Sequence, residues 1–136
     1  MQYVDSNVFI YPVIYRSDEQ EKAKKAREML LKIENGELSA YTSMLTWDEV
    51  VWVVSKTLGR GDGALQGRKL LGFPNLNFID VDEGVVTSAQ ALIERYKLSP
   101  RDSVHLASAI TRKIRNIISD DADFDEVKEI TRTPFV

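Results

Sequence analysis

The chain contains no cysteine and only one histidine in 136 residues. The first absence excludes disulfides, thiolate zinc sites and thiol catalysis. The second excludes a zinc-protease helix with two histidines and any mechanism built on a pair of imidazoles. Seven glycines and four prolines are too few for a fibrous or disordered chain. No apolar run approaches the roughly 18 to 20 residues of a membrane span, so no membrane association is expected. The opening Met1-Gln2-Tyr3-Val4-Asp5 lacks the basic and apolar stretches of a signal peptide, and a cytoplasmic location is the default expectation. Carboxylates, hydroxyls and cations remain to carry any chemistry. A net charge of −3, from 18 basic and 21 acidic residues, does not announce nucleic-acid binding. It also does not exclude it, because active-site acids and surface acids enter the same sum.

With 43% hydrophobic residues and no linker, repeat or low-complexity tract, residues 1–136 are expected to form one domain. Met1 to Asp5 is half apolar and ends in Asp-Ser-Asn, a natural strand exit and helix start. Ser17-Asp18-Glu19-Gln20 has the pattern of a capping box. Ala23, Ala26, Leu30 and Ile33 then recur at helical spacing until Asn35-Gly36. Leu38 to Tyr41 is a candidate strand. Trp47, Val50, Val51, Val54 and Leu58 trace a helical face closed by Gly59, and Trp52 and Val53 lie off that face, so this helix is expected to be buried on most sides. Trp47, Trp52 and Tyr96 read as core or interface residues.

Gly61 to Leu71 is expected to be helical and Leu76 to Val81 extended. Asp82 caps an amphipathic helix bearing Val85, Val86, Ala89, Leu92, Ile93 and Tyr96. Ser99-Pro100-Arg101-Asp102 opens another, with a cap, a first-turn proline and a first-turn acid. Asn116-Ile117-Ile118 is a short buried strand, and Glu129-Ile130-Thr131 a last one. Strands separated by helices imply an α/β fold, a parallel sheet with helices on both faces. Ligands of such sheets bind at the carboxyl ends of the strands.

That rim is where the acids fall. Asp5 closes the first strand, and Asp120, Asp121 and Asp123 follow Ile118. Asp102 and Glu49 lie near the starts of helices. Like charges 4 Å apart repel by on the order of 4 kcal/mol at an effective dielectric of 20, so such a cluster persists only with cations or protons in it. Oxygen ligands alone select hard divalent ions, Mg²⁺ or Mn²⁺. Each acid also has a plainer explanation. Thr46-Trp47-Asp48-Glu49 has capping-box spacing, and Asp102 three residues after Ser99 suits the positive end of a helix dipole. Asp5 suits a cap after the first strand, and 120–125 a solvated loop. His105, among Leu106, Ala107 and Ala109, reads as a packed or surface histidine rather than a ligand.

Four segments together resemble the PIN domain family, and in particular its small VapC-like toxin ribonucleases. Tyr3-Val4-Asp5-Ser6-Asn7 is similar to the family's opening strand ending in Asp. Ser43-Met44-Leu45-Thr46-Trp47-Asp48-Glu49-Val50 is similar to its second motif, a Ser or Thr opening a helix with Glu further in. Arg101-Asp102-Ser103-Val104-His105-Leu106-Ala107-Ser108-Ala109 resembles the third. Ile117-Ile118-Ser119-Asp120-Asp121-Ala122-Asp123-Phe124 resembles the fourth. The resemblance spans the chain in order and implies a three-layer α/β/α PIN-like fold with a central parallel sheet of about five strands. It further implies catalytic metal-site acids Asp5, Glu49, Asp102 and Asp121, with Asp123 a fifth metal ligand and Asp120 on a variable position. Ser6, Asn7 and Ser119 would orient those carboxylates. It also implies homodimers and, for the toxin branch, an antitoxin partner across the acidic groove.

The activity so implied is a divalent-metal-dependent endoribonuclease in which Mg²⁺ or Mn²⁺ activates water, leaving a 5′-phosphate and a 3′-hydroxyl. Arg101, Lys56, Arg60, Arg68 and Lys69 are candidates for a basic rim that holds RNA. Two rivals remain. An aspartyl-nucleophile phosphatase of the dehalogenase type wants a second Asp where this chain has Asn7. A non-catalytic PIN-like scaffold binding RNA or protein has no need of acids at all four positions.

Overall fold

The computed structural model describes residues 1–135. Five parallel strands form one sheet: β1 (Gln2–Val4), β2 (Ala40–Ser43), β3 (Leu76–Ile79), β4 (Asn116–Ile118) and β5 (Thr131–Thr133), in the order β3-β2-β1-β4-β5. Six helices connect them: α1 (Asn7–Ile14), α2 (Glu21–Glu34), α3 (Leu45–Leu58), α4 (Arg60–Leu71), α5 (Glu83–Arg95) and α6 (Pro100–Thr111). A 3-10 turn spans Ala122–Glu126.

The strands are short, the central ones β1, β2 and β4 are buried on both faces, and alternate residues feed two cores. Tyr3 and Ile117 pack with Val85, Ala89 and Leu92 of α5 and Leu106 of α6. Val4 and Ile118, one residue on, pack with Val8 of α1, Ala26 and Ile33 of α2, Val50 and Val54 of α3 and Leu70 of α4. The sheet is therefore the middle of three layers. β1 pairs with β2 on one side (Tyr3 opposite Tyr41) and β4 on the other (Tyr3 opposite Ile117). The chain leaves β1 toward β2 and leaves β4 toward β5, so the connections diverge between the carboxyl ends of β1 and β4. Such a divergence opens a crevice where an open α/β sheet binds its ligands.

Several local expectations are met by side chains. Asp82 Oδ1 accepts the Val85 N–H at 2.9 Å, and Ser99 Oγ accepts the Asp102 N–H at 3.1 Å. Gly36, at φ +77°, closes α2 with its N–H on Ile33 O, while Glu37 N–H reaches Lys32 O. Others need correction. The Ser17 box does not form: α2 begins at Glu21, and Ser17 Oγ accepts from Arg27 Nε at 3.0 Å instead. The Thr46 box does not form either. Ser43 Oγ accepts the Leu45 N–H at 3.0 Å and starts α3 one residue before Thr46, whose buried hydroxyl pairs with Thr42 at 2.6 Å. The last strand runs over 131–133 rather than 129–131, because the Glu129 carboxylate turns to Tyr96 and Arg95. The second strand lies at 40–43 rather than 38–41.

The largest correction concerns α3, which is not buried on most sides. Val50 and Val54 enter the core, but Trp47 is 40% and Trp52 53% exposed. α4 covers the Val51 side of α3, and Gly59 at φ +104° is the single hinge between the two helices. The helices touch so closely that a Cβ at Gly63 would lie 3.0 Å from Val51 O and 1.9 Å from Ser55 Oγ, whereas one at Gly61 would meet nothing within 4 Å. Gly63→Ala is expected to destabilise by about 1 to 3 kcal/mol through overpacking. Gly61→Ala is expected to stabilise by up to about 1 kcal/mol through helix propensity. Paired thermal melts of the two variants should shift in opposite directions.

Candidate metal centre

The acids reach the β1/β4 crevice from the end of β1, the starts of α3 and α6, and the loop after β4. Asp5 follows β1 and is only 5% exposed. Its Oδ1 accepts the Ser6 N–H at 2.8 Å and its Oδ2 accepts the Ser119 hydroxyl at 2.6 Å. The same Ser119 Oγ accepts the Asp121 N–H at 3.0 Å, so one serine after β4 ties the two acidic segments together. Asp121 Oδ1 in turn accepts the Asp123 N–H at 2.9 Å and starts the 3-10 turn. Arg132 on β5 clamps this loop from outside, with Nε and Nη2 at 2.7 and 2.9 Å from the two Asp125 oxygens and Nη1 on Ser119 O at 3.1 Å. Asp125 is held below its usual carboxylate range by that guanidinium.

Asp102 enters from the first turn of α6, where the Ser99 cap sets its direction. One carboxylate oxygen from each of Asp102, Asp121 and Asp123 lies within 4.8 Å of the others. Burial, then the charges of Asp121 and Asp5, push Asp102 up to about 6. Burial also raises Asp5, against the opposing pull of His105, Ser119 and Ser6. Ionisation of Asp102 and Asp5 is thus opposed by their surroundings. Three to four carboxylates with no sulfur among them form a donor set for a hard divalent ion.

Asp5, Asp120 and Glu49 lie outside that trio. Asp120 turns toward α1, where its carboxylate accepts from Tyr11 OH and, at 3.3 Å, from Asn7 Nδ2. Asn7 therefore orients Asp120 rather than the clustered acids. Glu49 is also not a capping residue. Its Oε1 pairs with His105 Nε2 across the top of the sheet, and that nitrogen lies 3.9 Å from Asp5 Oδ1. His105 is 1% exposed, and its Nδ1 is 2.5 Å from Tyr3 OH, which itself accepts the Ser43 N–H at 3.1 Å. Burial alone would lower the imidazole's pKa. The hydrogen bond to Glu49 and the charges of Asp5, Glu49 and Asp102 outweigh it and raise the value. A Tyr3–His105–Glu49 chain thus links the core to the rim.

The packed-histidine expectation holds for burial but omits this contact. Its signal is present in the sequence: His105 sits three residues after Asp102, on the same helical face.

A doubly covered parallel sheet with acids at its switch point defines the structural class. Residues 2–130 match the PIN domain family, and the chain belongs to it. The architecture is also that of solved toxin structures. A Mycobacterium tuberculosis VapC20 structure, described as a sarcin-ricin loop cleaving toxin, superposes with a TM-score of 0.75 at 14% identity over 94% of this chain and 95% of that one. VapBC2 from Rickettsia felis, bound to a promoter DNA fragment, gives 0.73 at 14% identity over 98% of each chain. A toxin–antitoxin complex from Klebsiella pneumoniae gives 0.68 at 20% identity over 96% of each. No curated protein matches by sequence. Among the described residues no helix is long and apolar enough to cross a membrane.

Proposed function

We propose that this chain is a divalent-metal-dependent endoribonuclease and the toxin of a type II toxin–antitoxin pair. The observation that carries the reading is the convergence of Asp102, Asp121 and Asp123 oxygens within 4.8 Å beside buried Asp5. Membership of the PIN family and the likeness to toxin structures support it. Asp102, Asp121, Asp123 and Asp5 would hold Mg²⁺ or Mn²⁺, with Glu49 at the edge under the control of His105. Such an ion supplies activation of water for in-line attack on phosphorus and charge stabilisation at the leaving oxygen. The Ser119 hydroxyl and the Ser6 N–H orient the Asp5 carboxylate, and Ser119 Oγ also holds the Asp121 backbone N–H. The acids are kept close at a cost in repulsion, which a bound cation relieves.

An antitoxin segment bearing Arg or Lys would satisfy the same crevice and compete with the ion. The toxin itself would act as a homodimer in the cytoplasm. A non-catalytic scaffold would gain nothing from maintaining this repulsion.

Purified protein freed of partner should cleave RNA with Mg²⁺ or Mn²⁺, stop with EDTA, and leave 5′-phosphate ends. Metal-independent cleavage or cyclic phosphate ends would overturn the mechanism. Asp121→Asn and Asp120→Asn should separate by role. Asp121→Asn should abolish cleavage and the Mn²⁺-induced melting shift. Asp120→Asn should keep both while lowering the melting temperature, through a weakened charge-assisted bond to Tyr11 worth about 1.5 to 3 kcal/mol. Expression of the chain alone should arrest growth, and co-expression of a small neighbouring-gene protein should restore it.

A further inference from the structure

Trp52 is an indole with 53% of its surface exposed, on a chain whose other large apolar side chains mostly reach a core. It lies one helical turn beyond Glu49 on α3, on the same face. Lys56, a further turn along, places Nζ 4.1 Å from the ring centroid, and Arg101 of α6 places Cζ at 5.9 Å. Arg101 immediately precedes Asp102. Trp52, Glu49, Asn7 and Arg101 together line a cleft of about 110 Å³ next to the acids. Among the described residues neither Lys56 nor Arg101 forms an ion pair. The result is an exposed indole whose ring carries two cations free of ion pairs, at the edge of an acidic centre, on a protein whose total charge is negative. A base stacking on the ring would replace the Lys56 contact and free that ammonium for a phosphate.

We propose that Trp52, Lys56 and Arg101 form a stacking subsite for one unpaired RNA base, with the two cations holding the phosphates on either side of it. This rests on the nuclease reading and adds to it the residues that would receive an unpaired base. An indole face stacks on any base, so the subsite selects against base-paired RNA rather than for a sequence. A base in a duplex has both faces covered by its neighbours and cannot reach the ring. The cations answer a second need, because an acidic crevice repels the RNA backbone. Two positive charges set beside it, rather than in it, bring the phosphate close without neutralising the ligands. The alternative occupant, a second copy of this chain seated on Trp52, would leave Lys56 and Arg101 facing an interface with no anion named for them.

The test uses the full chain carrying Trp47→Phe, in which Trp52 is the only tryptophan, with Ca²⁺ in place of Mg²⁺. A short single-stranded oligoribonucleotide should quench Trp52 emission saturably, and the same strand annealed to its complement should not. In Mg²⁺, Trp52→Ala should raise KM by about 5- to 150-fold, the equivalent of about 1 to 3 kcal/mol of base stacking. The kcat and melting temperature should be nearly unchanged, and Trp52→Phe should recover most of the KM. Removing Lys56 and Arg101 together should reduce the slope of log affinity against log salt by about 1.4, or about 0.7 per phosphate contact on a single strand.

Emission unmoved by RNA at concentrations that saturate cleavage, or an unchanged KM for Trp52→Ala, overturns the subsite while leaving the nuclease intact. Blue-shifted emission that moves red on dilution assigns the surface to a second copy and also overturns it. Quenching by single strands without any cleavage supports the subsite and removes the nuclease reading.

Discussion

Asp102→Asn should raise the melting temperature of the metal-free protein while eliminating the Mn²⁺-induced shift and at least about 99% of cleavage. Two effects of opposite sign compete at this position. An acid in the first turn of α6 gains about 0.3 to 1 kcal/mol from the helix dipole, and losing it would lower stability. Burial and the charges of Asp121 and Asp5 act the other way, and they win, because Asp102 is pushed up to about 6. A carboxyl so displaced is destabilised by its own ionisation at neutral pH. Asparagine keeps the shape and the backbone bond to Ser99 and removes the charge. For a chain of this length each kcal/mol of relieved repulsion corresponds to about 3 to 5 °C. A melting temperature that falls in EDTA, with the metal shift and cleavage intact, would reduce Asp102 to a helix-start acid.

The largest loss of stability is expected from His105→Leu. The substitution fills similar space but leaves the Glu49 carboxylate without its imidazole partner and the Tyr3 hydroxyl with only the Ser43 N–H, and it removes the imidazole beside buried Asp5. Breaking a buried charge pair from one side costs about 3 to 5 kcal/mol, or on the order of 10 to 20 °C here. His105→Gln, which keeps a donor for Glu49, should lose less. Glu49→Leu combined with His105→Leu should lose less than the sum of the two single changes, because no charge is then stranded. Strict additivity in that double-mutant cycle would show that the pair is not coupled.

The same groups set the pH response of the metal-free protein. Asp102 titrates near 3.8 unfolded and about 6 folded, so the folded state holds more protons between those values and stability falls as pH rises through them. Raised Asp5 acts in the same sense. His105, raised from 6.5, contributes stability that is full below 6.5 and is lost as pH rises through its folded value. Melting temperature in EDTA should therefore decline as pH rises from about 4 to about 6, and further as His105 loses its proton, the reverse of ordinary acid denaturation. The Mn²⁺-induced increment should grow over the same range, since ligation needs ionised carboxylates. A flat profile in EDTA would mean that the crevice is not electrostatically loaded.

Much of this was legible without a structure because local signals carry it. Period-3.6 apolar spacing marked α2, α3, α5 and α6. Ser99 and Asp82 announced their caps, and Asp5 and Ile118-Ser119-Asp120-Asp121 each coupled a strand end to an acid. These are short-range matters of backbone sterics and hydrogen bonding within one turn, and the α/β alternation follows from them.

Choices between equally good local options were decided elsewhere. Thr46-to-Glu49 spacing suits a cap, yet Ser43 takes the start of α3 because it ends β2 at the carboxyl rim of the sheet, which frees Glu49 for His105 56 residues away. Asp120 and Asp121 are chemically identical neighbours, and only the packing of α1 against the β4 loop sends the first to Tyr11 and leaves the second to Asp102 and Asp123. Trp52 reads as a core or interface residue, but α4 covers the Val51 side of α3, so the indole is left outside the core. Sequence by itself determined which elements form and that acids would end several of them. Tertiary structure decided which acids meet and which aromatic stays exposed, because both depend on contacts between segments far apart in the chain, and local spacing carries no information about those.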